Sequence, residues 1–125
     1  MAAMKSSYKS ASGVMRIWRA CGYSLQGLAA AFRHESAFRQ ELLLAAVLAP
    51  CAFWVGRTPL QVLLLLASLV CILLVELINS AIEALADAVS LDAHPLLGRA
   101  KDLGSAAVLL AMLMAAGIWF TLLFF

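Results

Sequence analysis

From Leu60 to Val75 the chain is apolar apart from Gln61 and Ser68. The helical pattern does not end there. Leu77, Ile78, Ala81, Ile82, Ala84, Leu85 and Ala86 carry it on, now interleaved with Glu76, Asn79, Glu83 and Asp87. At 1.5 Å rise per residue, Glu76 falls about 24 Å along such a helix from Leu60, and Glu83 about 35 Å. The hydrocarbon core of a bilayer is ~30 Å thick. A helix that starts at one membrane boundary near Leu60 therefore places these carboxylates astride the other.

Two further stretches share this character. Leu42–Val55 is apolar except at Pro50 and reaches spanning length if Ala37 and Phe38 join it. Ala106–Phe125 is softened only by Gly117 and Thr121, and it closes on Trp119, Phe120, Phe124 and Phe125, aromatics that favour a membrane interface. The 125 residues are 65% hydrophobic and 13% charged, against roughly 45–50% and about 25% in soluble domains. So short a chain cannot hide that much apolar surface in one water-soluble core. The expected fold is all-α: a polytopic membrane protein, one domain over residues 1–125, with transmembrane helices at about 37–55, 60–86 and 103–125. Gly56-Arg57-Thr58-Pro59 makes a tight turn between the first two spans, and a second loop runs from about Ser90 to Gly98.

Before the first span, Val14 to Arg33 (about 14–33) reads as an N-terminal amphipathic helix. Val14, Ile17, Trp18, Cys21, Leu25, Leu28 and Phe32 form one stripe, with Arg16, Arg19, Gln26 and Arg33 off it. A basic helix with Trp on its apolar side suits a membrane surface, though it equally suits packing on the protein's own core. The polar, Ser-rich segment from Met1 to Gly13 is expected to be mobile, and it lacks the pattern of a cleavable signal peptide. Lys5, Lys9, Arg16, Arg19, Arg33 and Arg39 precede the first span; only Arg57 lies in the first loop, and Arg99 and Lys101 belong to the second. The positive-inside rule puts the N-terminus and second loop in the cytoplasm.

The informative cluster is acidic. At 100° per residue, Glu83 and Asp87 each lie about 20° from Glu76 around the helix, on opposite sides, and Asn79 about 60° away. Carboxylates near a membrane mark function by default. Together they repel unless a cation neutralises them, and Mg²⁺, which prefers oxygen ligands and bridges substrate phosphates, would do so. One could remain free as a general base. The plainer reading is the wet end of a long helix. Glu35 and Glu41 flank Arg39 in HESAFRQE, by itself an ordinary charged corner. Lys101 could bind phosphate or anchor its helix at the headgroups. His34 and His94 are isolated, and Cys21, Cys51 and Cys71 lack any CxxC spacing, which argues against a metal or disulfide framework. No segment joins a dense basic run to aromatics outside the apolar stretches, so nucleic acid is not an expected partner. Phosphate loops of the GxxxxGKS or GxxxxGKT type, GxGxxG and the HRD and DFG pair of protein kinases are all absent.

The blocks GYSLQGLAAAF, HESAFRQE, VELINSAIEALAD and GRAKDLGSAAV, in that order from about Ala20 to Val108, resemble the small integral-membrane diacylglycerol kinases of bacteria. The resemblance implies a homotrimer, with three transmembrane helices and a surface helix per chain, in the bacterial inner membrane. It implies MgATP-dependent phosphorylation of diacylglycerol to phosphatidic acid, with sites shared between neighbouring chains. Carried over by motif, Glu76 would be the general base. Glu35 and Glu83 would hold Mg²⁺ with the nucleotide phosphates. Arg16, Asp92, Lys101 and Asp102 would meet ATP, and Ser24, Glu41, Asn79, Asp87 and Trp119 would line or support the site. The second loop departs from the family: it reads SLDAHPLLG, where a longer polar stretch with Glu and Tyr around the His is usual.

Three alternatives stand beside this reading. Some members of the family phosphorylate undecaprenol; Trp18, Trp119 and the GYSLQGL and FRQE blocks look more like the diacylglycerol type. A small carboxylate-dependent transporter would place its site near the bilayer midplane, whereas these acids lie at one end of their helix. A membrane scaffold without chemistry would use the same acids only for assembly.

Overall fold

The computed structural model describes residues 12–125. Of the segment Met1–Gly13, expected to be mobile, residues 1–11 lie outside the described residues, and Gly13 is the first residue of the first helix. Four helices follow one another: α1 (Gly13–His34), α2 (Ser36–Val55), α3 (Pro59–Val89) and α4 (Pro95–Phe124). The last three are long and apolar enough to cross a membrane, so the all-α, three-span expectation holds.

The helix ends explain where each element starts and stops. A single extended residue, Glu35 (φ −114°, ψ 105°), separates α1 from α2. Arg39 braces this corner from the next helix: its Nη1 donates to the carbonyls of Phe32 (2.7 Å) and Arg33 (3.2 Å), which α1 leaves without helical partners. Thr58 opens α3 by accepting from the Gln61 N–H (3.2 Å), while Gln61 Oε1 accepts from the Arg57 N–H (2.9 Å), an exchange close to a capping box. Pro59 and Pro95 hold the first helical positions of α3 and α4, where a missing N–H costs nothing. At the far end of α4, the Arg57 guanidinium donates to the carbonyls of Leu122 and Phe125, each at 3.2 Å.

Helix α4 starts eight residues before the span boundary expected at 103, so Arg99 and Lys101 are on its first turns and not in the loop. Hydropathy tracks depth in the membrane, whereas the helix start is fixed by Pro95 and by His94, whose Nδ1 accepts from the Leu96 N–H at 3.1 Å. Likewise α3 runs on to Val89. Its 31 residues reach about 46 Å, longer than the ~30 Å hydrocarbon core, and its acidic end projects accordingly.

The main seam lies between α3 and α4, where Ile72, Ala111 and Ala115 are buried with Cys71 and Val75 packed against them. Phe38 and Ala52 are the buried residues of α2. The large apolar side chains Phe53, Trp54, Leu63, Leu109, Leu110 and Phe124 instead face outward. An apolar exterior around a thin core of small residues is what lipid, as solvent, permits. Helix α1 follows the same logic. Val14, Ile17, Trp18, Leu25 and Phe32 are exposed, and the side turned toward the bundle is made of Ser24, Gly27, Ala30 and Ala31.

Candidate active site

Four elements deliver polar groups to the acidic end of α3. Helix α3 itself carries Glu76 (5% exposed) and Asn79 (8%), with Glu83 half-buried and Asp87 exposed. Among the polar groups of this face, exposure rises along the helix from Glu76 to Asp87. The α1–α2 corner supplies Glu35, α2 supplies Glu41, and α4 supplies Lys101.

The Glu41 carboxyl comes within hydrogen-bonding reach of Glu76, and the charges of Glu83 and Glu35 act on Glu76 as well. One Glu41 oxygen, Oε2, is buried without a partner. Asn79 Nδ2 donates to Glu83 Oε1 at 3.4 Å, and Asn79 Oδ1 is buried and unpartnered. Lys101 Nζ meets Asp87 Oδ1 at 2.6 Å and also feels Glu83. Asp87 and Lys101 thus tie the end of α3 to the start of α4, above the buried carboxylates.

So many carboxyls around one point repel each other at short range, more strongly where little water screens them. The donor set suits a hard cation. Among the described residues, no three His, Cys, Asp or Glu side chains converge tightly enough to form a metal cage. Magnesium does not require one, because it is usually held by one or two carboxylates and completed by phosphate oxygens and water. Glu35 and Glu83, both near enough for their charges to act on Glu76, are carboxylates of the kind such an ion takes.

Beside this cluster, between α1 and α3, lies an open cleft of ≈ 710 Å³. Ser24, Gly27, Ala31 and Glu35 form one wall, and Leu77, Ser80, Ala81 and Ala84 the other. Its lining is mostly alanine, glycine and leucine, with Ser24 and Ser80 along it and His34 and Glu35 at the α1–α2 corner. A second hollow of ≈ 480 Å³ is formed by Ser90–Pro95, Leu97, Gly98 and Lys101. Asp92 lies there, its backbone N–H held by Ser90 Oγ at 3.0 Å.

The structure therefore brings together Glu35, Glu41, Glu76, Asn79 and Glu83, with Asp87 and Lys101 at the rim. Ser24 faces the cleft, and its hydroxyl donates to the Ala20 carbonyl at 2.9 Å. Asp102 is exposed one residue beyond Lys101. Two expected residues stand apart within the single chain. Arg16 is on the first turn of α1, about 28 Å along that helix from Glu35. Trp119 donates through Nε1 to Ser68 Oγ at 3.0 Å, and Ser68 lies about 12 Å along α3 from Glu76, toward the opposite end. Two residues escaped the sequence reading. Ser80 is buried with an unpartnered hydroxyl; its signal was there, only about 40° from Glu76 on the helical wheel. Gly104 is buried against Asn79, and nothing in the sequence marks that contact.

A sequence profile described as prokaryotic diacylglycerol kinase matches residues 22–123. The chain belongs to the prokaryotic diacylglycerol kinase family. Among similar proteins, the diacylglycerol kinase of Pseudomonas aeruginosa is 48% identical, over 94% of this chain and 96% of its own length. That of Escherichia coli is 46% identical over 90% and 92% respectively, and that of Haemophilus influenzae 41% over 94% and 99%. The matched region takes in the whole carboxylate cluster, the cleft and the α3–α4 seam.

Proposed function

We propose that this chain is an ATP-dependent diacylglycerol kinase that forms phosphatidic acid at the cytoplasmic face of the bacterial inner membrane. The observation that carries this is Glu76: a carboxyl buried among others at the polar end of a membrane-length helix, next to an apolar cleft, in a chain of this family. A lipid hydroxyl and a nucleotide can meet only at such a boundary.

In the reaction the lipid hydroxyl oxygen attacks the γ-phosphorus of ATP, the bond from that phosphorus to the ADP oxygen breaks, and the hydroxyl proton passes to Glu76. Phosphoryl transfer asks little else of a protein than positioning and neutralising charge. Glu35 and Glu83 would hold Mg²⁺, whose charge would offset that of the phosphates. Lys101 would turn from Asp87 toward phosphate; Arg16, Asp92 and Asp102 would complete the nucleotide contacts. Ser24 and the small residues of the cleft would receive the glycerol end of the lipid. Glu41, Asn79 and Asp87 would support the acids, and Trp119 would contact the acyl region. A homotrimer with shared sites accounts for the distance of Arg16 from the acids within one chain. It also accounts for part of the exposed apolar surface; lipid around the spans and beneath α1 accounts for the rest. The N-terminus and the α3–α4 loop would face the cytoplasm, in keeping with Arg16, Arg19, Arg33, Arg39, Arg99 and Lys101 on that side.

The test is phosphate transfer from labelled MgATP to diacylglycerol in mixed micelles, with undecaprenol assayed beside it and Glu76→Gln as control. Transfer to diacylglycerol by the wild type, lost in a folded Glu76→Gln protein, is the expected result. A folded protein that transfers phosphate to neither lipid refutes the reading, and preference for undecaprenol changes the substrate.

A further inference from the structure

Gly104 is buried on α4 directly opposite Asn79. A methyl group built there would overlap Asn79 Oδ1, lie 3.3 Å from Asn79 Cγ, and come 3.7 Å from Ile82 Cδ1. The clash is therefore with one group, the Asn79 amide, and not with the backbone of α3. That amide sits between the acids of α3 and the surface of α4. Nδ2 donates to Glu83 at 3.4 Å and is within hydrogen-bonding reach of Glu76 as well, while Oδ1, buried and without a conventional partner, occupies the space that a Gly104 side chain would take. A Cα–H can offer such an oxygen a weak contact, and no other residue leaves room for it.

We propose that Gly104 is a positioning residue for the metal–nucleotide site: its missing side chain seats the Asn79 amide so that Nδ2 holds Glu83 in its ligating orientation. This rests on the reading of Glu83 as a carboxylate that holds Mg²⁺. Gly117, also on α4, has open space where its Cβ would be, so the constraint is local to Gly104 and not a property of the helix. In Gly104→Ala the helices keep their packing, because the far end of a side chain can rotate away; what is lost is the orientation of Glu83.

The test uses the full chain in micelles, with Mn²⁺ as a paramagnetic probe and ADP present, and it reads binding without turnover. Gly104→Ala, Asn79→Ala and the double variant are compared with wild type. The expected result is Mn²⁺–nucleotide binding weakened on the order of tenfold by either single change, and no further by the pair, because both act through one amide. Thermal stability should change little in Gly104→Ala. Unchanged Mn²⁺ binding in folded Gly104→Ala, or effects of the two changes that simply multiply, overturns the proposal and leaves the kinase reading intact. A wild type that binds no Mn²⁺–nucleotide overturns both. Should Gly104→Ala not fold, the pair decides: recovery of the fold with Asn79→Ala supports the wedge, and failure to recover refutes it.

Discussion

The indole N–H of Trp119 donates to the Ser68 hydroxyl across the α3–α4 seam at 3.0 Å, and the Ser68 hydroxyl in turn donates to the Leu65 carbonyl at 2.6 Å. Ser68 is 2% exposed, so in lipid neither group has a substitute partner. This relay fixes the register of the two helices whose opposite ends carry Lys101 and Glu83. Ser68→Ala should therefore cost about 1 kcal/mol, the usual range for one hydrogen bond between membrane helices. Reversible unfolding in micelles would measure it. No loss of stability would mean that the pair is incidental to the packing.

Gly56 offers a sharper contrast. A Cβ there would lie 2.6 Å from Val62 Cγ2 and 2.8 Å from the Val62 backbone nitrogen. Backbone in the first turn of α3 cannot rotate aside, so Gly56→Ala should destabilise by about 1–3 kcal/mol. Gly117→Ala meets open space and should be neutral or stabilising by up to about 1 kcal/mol, since alanine is the better helix former. Parallel thermal unfolding of both variants would check the order.

Much of this was legible in the sequence, for reasons the same residues illustrate. Glu76 and Glu83 share a face because seven residues make nearly two turns, and a membrane makes any such face conspicuous. The bulky stripe of α1 was equally readable. Its packing side was not, because Ser24, Gly27 and Ala31 carry no hydrophobic signal, and in lipid close approach depends on small residues. Glu41 looked like one end of a charged corner. Only the fold of α2 against α3 brings it to Glu76, a contact between distant stretches of chain that periodicity cannot reveal. Gly104 was invisible for the same reason.

Lys101 and Asp87 meet at 2.6 Å with their side chains 42% and 47% exposed. An ion pair in that setting contributes little to stability. Asp87→Asn should leave the unfolding midpoint nearly unchanged while freeing Lys101 for phosphate. Lys101→Ala, in contrast, should raise KM for ATP on the order of tenfold, the loss of one charge-assisted contact. Steady-state kinetics at fixed lipid would distinguish the two. A Lys101→Ala enzyme with unaltered KM and kcat would assign this lysine to holding helix ends alone.

The roles proposed for Glu76 and Glu83 separate by kinetics, because they would act at different stages. A general base is used only as the proton moves, so Glu76→Gln should lower kcat on the order of 10³-fold with little change in nucleotide binding. A carboxylate that holds the metal contributes before the transition state as well. Glu83→Gln should therefore raise the Mg²⁺ concentration needed for half-maximal rate, and excess Mg²⁺ should restore part of the loss. It also leaves the Asn79 amide facing a neutral partner, so Asn79→Ala should add little in that background. Titrating Mg²⁺ at saturating ATP for both variants decides the matter. If excess Mg²⁺ rescues Glu76→Gln and not Glu83→Gln, the two assignments are exchanged.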